Sequence, residues 1–410
     1  MSDQMQVRQP RYAEFEVCEY IDRVQRAQTL MSQDGMDAML LTCPKLLRYF
    51  AGGPLTGLFE DTFNPFFLLL PADPKIEAAL MMSSGREGCS QTSWVPDQRF
   101  WGYDENASLM KQDASIRTVS EVIKEKHLDN ANIGTELDAG LRIGMTQSEF
   151  AGLKDLLPKV RWQSCARTAW QVAEIKSEAE LARIRRAAEI TNNAFALALQ
   201  AAHTGMTERE LAAIILKSYF EQGATDKGFL AVYAGGERMI WADAMPSDYR
   251  FEEGDLLMLD GGCQIDGYIS DVSRMASFGQ PTDEDQAMYE TARKANASAL
   301  KTVKPGTEMR ELFAAGQQPY IDAGYGDKLV FGTGQLGHGI GLSLHEYPDI
   351  SSGSTNKLKP GMVIAVEPAI SDKNRWVDSS KFFIVENNVI VDNQGYELLT
   401  TLNDELVILD

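Results

Sequence analysis

The 410-residue sequence has no stretch approaching the ~18 consecutive apolar residues that a membrane span requires. It has no run of lysine and arginine either, since 39 basic residues face 59 acidic ones for a formal net charge of −20. A phosphate backbone or an anionic lipid surface recruits clustered positive charge, so neither nucleic acid nor a membrane is expected as a partner. Cysteine is scarce. The five thiols, Cys18, Cys43, Cys89, Cys165 and Cys263, are odd in number, scattered and never in a C-x-x-C pair, which argues against a zinc-thiolate site and fits a reducing compartment. Met1 to Pro10 is polar and lacks the apolar segment of a secretory leader. A cytoplasmic protein is expected. There is no low-complexity segment and no short-period repeat. What remains is a globular composition, 44% hydrophobic, long enough for two or three domains of ~100–200 residues.

Periodicity divides the chain near Gln171. In residues 1–170 a helical pattern over Tyr20 to Asp34 leads into the apolar run Ala38 to Thr42, and further short runs follow at Phe66 to Leu70, Ala78 to Met82 and Asn132 to Glu136. The helical stretch Ser115 to Lys126 lies between them. That alternation predicts a smaller α/β domain. Residues 171–410 have a different rhythm, with helices expected at Glu178 to Leu199, Glu208 to Gln222 and Asp283 to Val303. Thr207 with Glu210 three residues on makes a capping box for the second. Strands are expected at Leu256 to Cys263, Tyr268 to Ala276, Met362 to Glu367 and Phe382 to Val391, which predicts an α+β domain.

The chemistry gathers on the expected strands. Asp266-Gly267 is a two-residue hairpin signal. Counting outward from Ile265 opposite Tyr268 sets Asp260 opposite Ser273, with Asp271 as the diagonal neighbour of Asp260, ~7–8 Å away at most. Two carboxylates converging there need a cation, and either a metal or an arginine such as Arg274 would serve. Two of the chain's four histidines fall in Gly337-His338-Gly-Ile-Gly-Leu-Ser-Leu-His345-Glu-Tyr347-Pro. A packed core role is open to them, but glycines beside His338 let backbone and substrate approach closely. Glu367, before Pro368, and Glu386, inside Phe-Phe-Ile-Val-Glu-Asn-Asn-Val, are carboxylates in apolar strands, costly unless paired or bound to metal. Oxygen donors with one imidazole suit Mn, Fe or Co, or a catalytic zinc pair, and not a closed structural zinc site.

The order Asp260, Asp271, His338, Glu367, Glu386, with the aspartates eleven positions apart and Glu367 followed by proline, resembles the pita-bread metallopeptidase family. That family includes methionine aminopeptidase, aminopeptidase P, prolidase and the metal-free creatinase. The resemblance covers Ile175 to the C-terminus, and the preceding region resembles the N-terminal domain of the prolidase and creatinase branch. It implies a pseudo-twofold α+β catalytic domain with an antiparallel sheet and flanking helices, two divalent metal ions, and a homodimer. It further implies that Asp260 holds one metal, that His338 and Glu367 hold the other, and that Asp271 and Glu386 bridge. Glu367 would then shuttle the proton to the leaving nitrogen and His345 would hydrogen-bond the substrate carbonyl. Cys263 is expected to be a packing residue.

Two positions depart from the family. The additional histidine twelve residues before the aspartate of Gly254-Asp255 is here Asp243, within Trp241-Ala-Asp243. The arginine that prolidase-type enzymes place two residues before the last glutamate is here Ile384. Both changes make the pocket less positive, with Asp243, Trp241, Tyr233 and Tyr347 as candidate contacts to a cationic or neutral group. The expected function is hydrolysis of an amide or peptide bond in a short peptide or small molecule, as in Xaa-Pro dipeptidases but with altered specificity. The alternative is a lyase or hydrolase acting on an onium or amide osmolyte, like the dimethylsulfoniopropionate lyase branch. A non-catalytic binding module fits poorly, because none of the five metal-ligand positions is lost.

Overall fold

The computed structural model describes residues 6–52, 65–102, 113–138, 140–235, 238–239, 244–328, 335–373 and 379–410. The chain divides into two units, Met1–Ala173 and Glu174–Asp410. In the first, β1 (Ala38–Leu41), β2 (Phe67–Pro71), β3 (Ala79–Ser83), β4 (Asp97–Trp101), β5 (Asn132–Thr135) and β6 (Arg161–Ser164) form one sheet in the order β4-β3-β2-β1-β5-β6. Its middle strand β1 runs antiparallel to β2 and parallel to β5. These central strands are continuous apolar runs because they are buried along their whole length. The helices α1 (Val17–Gln33), α2 (Pro44–Ala51), α3 (Ala114–Glu125), α4 (Gln147–Leu156) and α5 (Ala166–Ala173) complete the α/β unit, with Val119, Ile123 and Leu153 packed on Leu40, Leu69 and Ile133. Gln171 lies inside α5.

The second unit alternates helix pairs with strands: α6 (Glu178–Ala201), α7 (Glu208–Glu221), β7 (Asp226–Ala234), β8 (Leu256–Ile265), β9 (Tyr268–Ile269) and β10 (Val272–Phe278), then α8 (Asp283–Leu300), α9 (Met309–Asp322), β11 (Gln335–Gly339), β12 (Glu346–Ser351), β13 (Val363–Val366), β14 (Ala369–Ser371), β15 (Phe382–Ile384), β16 (Asn387–Val391), β17 (Tyr396–Leu398) and β18 (Val407–Leu409). One sheet has the order β18-β10-β8-β7, with β9 also on β8, and another has β12-β11-β13-β16-β17. Capping boxes start both α6, through Ser177 and Glu180, and α7, through Thr207 and Glu210. This is the α+β pita-bread architecture.

A long-period repeat relates the two halves of this unit. Thr207 bridges Arg250 ahead of β8, and Glu308 bridges Lys357 ahead of β13. Phe251 and Leu358 exchange matching backbone bonds with the residues before α7 and α9. Each half then turns through a glycine, Gly254 or Gly361, into a strand, and six residues after that glycine stands a carboxylate, Asp260 or Glu367. The internal symmetry therefore brings one acid from each half to equivalent places. Among the described residues, no helix is long and apolar enough to cross a membrane.

Candidate metal centre

The hairpin adopts the expected register. Positive φ at Asp266 (48°) and Gly267 (82°) makes the mirror-image turn that matches strand twist. Ile265 faces Tyr268 and Asp260 faces Ser273. Asp271, however, is not in a continuous strand: the ladder breaks between β9 and β10, where the Ser270 carbonyl packs so tightly against Gly262 that any side chain there would collide. The Asp271 N–H, freed from the ladder, donates to Asn388 Oδ1 at 2.8 Å. Glu386 occupies a matching break between β15 and β16, with its N–H toward Ser273 O at 3.4 Å. The two long strands expected from the sequence are thus each interrupted at their acidic residue. Glu367 follows β13, its N–H bonded to Leu336 O at 3.1 Å.

Four of the five side chains converge, and the charge of Asp260 is felt by the three carboxylates among them. His338 Nε2 lies 3.3 Å from Glu367 Oε1 and 3.8 Å from Asp271 Oδ2, and donor atoms of Asp271, His338 and Glu386 all lie within 4.8 Å of one another. His338 Nδ1 is 2.9 Å from Gly339 O, an acceptor, so the hydrogen sits on Nδ1 and the Nε2 lone pair faces the carboxylates. Burial and the neighbouring His345 push this imidazole down to about 4, which keeps it neutral. Burial followed by the Asp260 charge pushes Glu367 up to about 8. Burial and the charges of Asp260 and Glu367 hold Asp271 well above the usual carboxylate range. Glu386 is raised by burial and by Asp271, Glu367 and Asp260.

Arg274 is engaged elsewhere. The guanidinium of Arg274 donates to the carbonyl oxygens of Ser273, Glu386, Leu402 and Asn403 and to Asn387 Oδ1, at 2.7–3.0 Å. Meanwhile Asp271 Oδ1 and Glu386 Oε1 are buried without a hydrogen-bond partner. Orphaned carboxylate oxygens aimed into a cluster of like charge, beside a bare imidazole nitrogen, fit divalent cations of the oxygen-preferring kind.

The supporting polar residues have a weaker signal in the sequence. Asn296 Nδ2 on α8 donates to Val366 O (2.7 Å) and Val385 O (3.0 Å), the residues just before Glu367 and Glu386, and its Oδ1 accepts from Asn387 Nδ2 at 2.6 Å. One side chain thus ties together the two segments that carry the glutamates. The adjacent Asn387-Asn388 pair, polar within an apolar run, was the available clue. Asn296→Ala is expected to weaken metal binding by about 10–100-fold, read by competition against a chromophoric chelator. An unchanged affinity with only a lower melting temperature would make the network purely structural.

Of the other candidates, one stands at the cluster. The His345 ring stands edge-on to His338, centroids 4.3 Å apart. Tyr347 is 38% exposed on β12. Tyr233 is fully buried, with its hydroxyl against Met258 Sδ, so it packs the core and offers no face to a ligand. Ile384 is buried in the same apolar cluster as Met258, Phe383 and Val385. Trp241 and Asp243 lie outside the described residues. Cys263 is a packing residue: it is buried, its Sγ contacts Ala187 O at 3.4 Å, and burial pushes the thiol up to about 11.

Residues 182–393 match metallopeptidase family M24, and residues 23–173 match the creatinase/prolidase N-terminal domain. An Xaa-Pro dipeptidase of Pyrococcus furiosus is 27% identical over 391 residues, 94% of this chain and 99% of its own length. An uncharacterized peptidase of Staphylococcus aureus is 33% identical over 233 residues, 57% of this chain, so that the chain spans 64% of that relative. Among solved structures, the Xaa-Pro dipeptidase from Bacillus anthracis aligns with a TM-score of 0.78 at 25% identity, covering 95% of this chain and all of that one. Dipeptidase PepE from Mycobacterium ulcerans, at TM-score 0.81 and 24% identity over 96% of this chain and 99% of its own, shares the fold.

Proposed function

Because the chain belongs to metallopeptidase family M24, we propose that it is a metal-dependent hydrolase of an amide or peptide bond, related to Xaa-Pro dipeptidases and altered in specificity. The observation that carries this reading is the buried convergence of Asp271, His338, Glu367 and Glu386, with two carboxylate oxygens orphaned. Asp260, Asp271, His338, Glu367 and Glu386 would hold two divalent ions, Mn, Fe, Co or Zn. Bound there, such a pair supplies charge that acidifies a water and polarises the scissile carbonyl. The chain's own groups then do the rest. The Glu367 carboxylate takes the proton of the attacking water and passes it to the leaving nitrogen. His345 donates a hydrogen bond to the carbonyl oxygen as charge develops on it. Ile384, packed in an apolar cluster, itself brings no charge to pair with a C-terminal carboxylate, which supports a preference other than that of a strict dipeptidase. We read the enzyme further as a cytoplasmic homodimer.

The test is product formation by mass spectrometry, with metal-loaded and metal-stripped enzyme, on Xaa-Pro dipeptides, longer peptides and dimethylsulfoniopropionate. Metal-dependent release of an amino acid or peptide fragment is expected. Acrylate from dimethylsulfoniopropionate alone would replace hydrolysis by elimination, and turnover that survives metal stripping would overturn both.

A further inference from the structure

A second charged pair lies outside the cluster. Lys176 Nζ and Glu346 Oε2 are 3.1 Å apart, and the two side chains are only 2% and 5% exposed. Burying two charges costs several kcal/mol of desolvation per ion, so such a pair gives weak evidence for stability and is best understood by what it orients. Glu346 directly follows His345. Its other oxygen accepts the N–H of Ser343 at 2.8 Å, so one carboxylate spans the residues on either side of the His345 position. The segment between β11 and β12 that carries this histidine has no helix or strand of its own. Its shape is held instead by tethers. Gly341 N–H reaches Ser343 O at 3.2 Å, Ile269 N–H reaches Gly341 O at 3.0 Å, and Lys176 is anchored by its own N–H to Gly361 O at 2.9 Å. A side chain at Gly341 would strike the Glu346 carboxylate, and one at Gly339 would strike the Tyr347 carbonyl. The glycines of this motif therefore admit the chain's own returning backbone.

We infer that the Lys176–Glu346 pair is a positioning device for the His345 ring. The inference rests on the reading of His345 given above. A catalytic side chain has to be held to within about 0.5 Å and 10–20°, and on a segment without a hydrogen-bonded ladder that precision must come from a supporting contact. The pair supplies it: Lys176, fixed to the lead-in of β13, fixes Glu346, which fixes the turn from Ser343 onward. The two side chains bond to each other and to the Ser343 N–H, so both act through the ring.

Lys176→Met/Glu346→Gln removes the pair without leaving one charge buried alone, and keeps an oxygen for the Ser343 N–H. Ser343→Pro is a second route, since it deletes that N–H and leaves the ion pair intact. The chain has four histidines, His127, His203, His338 and His345, so labelling at the imidazole carbon resolves each ring by NMR in the intact metal-free protein. In both variants the His345 signal is expected to shift and broaden while His127 and His203 stay in place. With manganese-loaded enzyme and the substrate turned over in the product screen above, kcat is expected to fall by about 10–100-fold, with KM within about twofold and no further loss when the pair variant is combined with His345→Asn. An unmoved His345 signal overturns the inference, as do losses that multiply in the combined variant. A silent His345→Asn sinks the role given to that ring by itself, and the NMR experiment still decides whether the pair positions it.

Discussion

Glu367→Ala is expected to abolish turnover and to strip the site of metal in the same step. Loss of a general acid–base alone lowers a rate by about 10²–10⁴, and Glu367 also lies 3.3 Å from His338, nearer than Asp271. Without it the imidazole lone pair faces a cluster lacking one of its charges, and metal affinity falls with the rate. Two measurements on one preparation separate the roles: metal content by inductively coupled plasma mass spectrometry, and product formation with manganese in excess. Metal retained with turnover lost would confine Glu367 to proton transfer. Turnover retained in metal-free protein would end the metal-dependent reading altogether. Cys263→Ala is the matching control. Its thiol is buried and pushed up to about 11, so Cys263 offers no thiolate nucleophile near neutral pH and turnover is expected to persist.

Much of this site was legible in the sequence because its geometry is local. The Asp266-Gly267 turn sets a register that period-two counting carries back to Asp260 and forward to Ser273, and no distant contact alters it. The capping box at Thr207 is likewise read within four residues. What escaped is long-range. The breaks that free Asp271 and Glu386 from their ladders depend on Ser270 meeting Gly262 and on Asn388 reaching across from β16, neither visible in an alternating pattern. The edge strands β4 (Asp-Gln-Arg-Phe-Trp) and β6 (Arg-Trp-Gln-Ser) escaped because exposed edges do not need apolar residues. The internal repeat that equates Asp260 with Glu367 is carried chiefly by backbone bonds, with a glycine and an acid six residues later as its trace in the sequence, so it shows clearly after folding. Glutamates buried in a break also explain why local patterning fails there: the site is held by contacts that the rest of the fold imposes.

Manganese at roughly 100 times its dissociation constant is expected to raise the melting temperature of the second unit by about 5–10 °C at pH 8, and by far less at pH 5. The sign follows from the raised carboxyl groups. Burial and the Asp260 charge lift Glu367 from 4.5 to about 8, and Asp271 and Glu386 move in the same direction. A group whose folded value is raised favours the folded state fully below its unfolded value and loses that contribution as pH rises through the folded one. The metal-free protein should therefore lose stability between about pH 4.5 and 8, while cations that replace the protons restore it at the alkaline end. At pH 5 the protons occupy the site and metal competes poorly. Calorimetry across this range reads both effects, and a manganese shift that is absent or indifferent to pH would count against the cluster as a metal site. Glu386→Gln sharpens the comparison. It removes one charge from a buried acidic cluster, so the metal-free variant should melt higher than wild type at pH 8, yet gain almost nothing from manganese. A variant more stable and unable to hold metal is what a site kept under electrostatic strain for its chemistry would give.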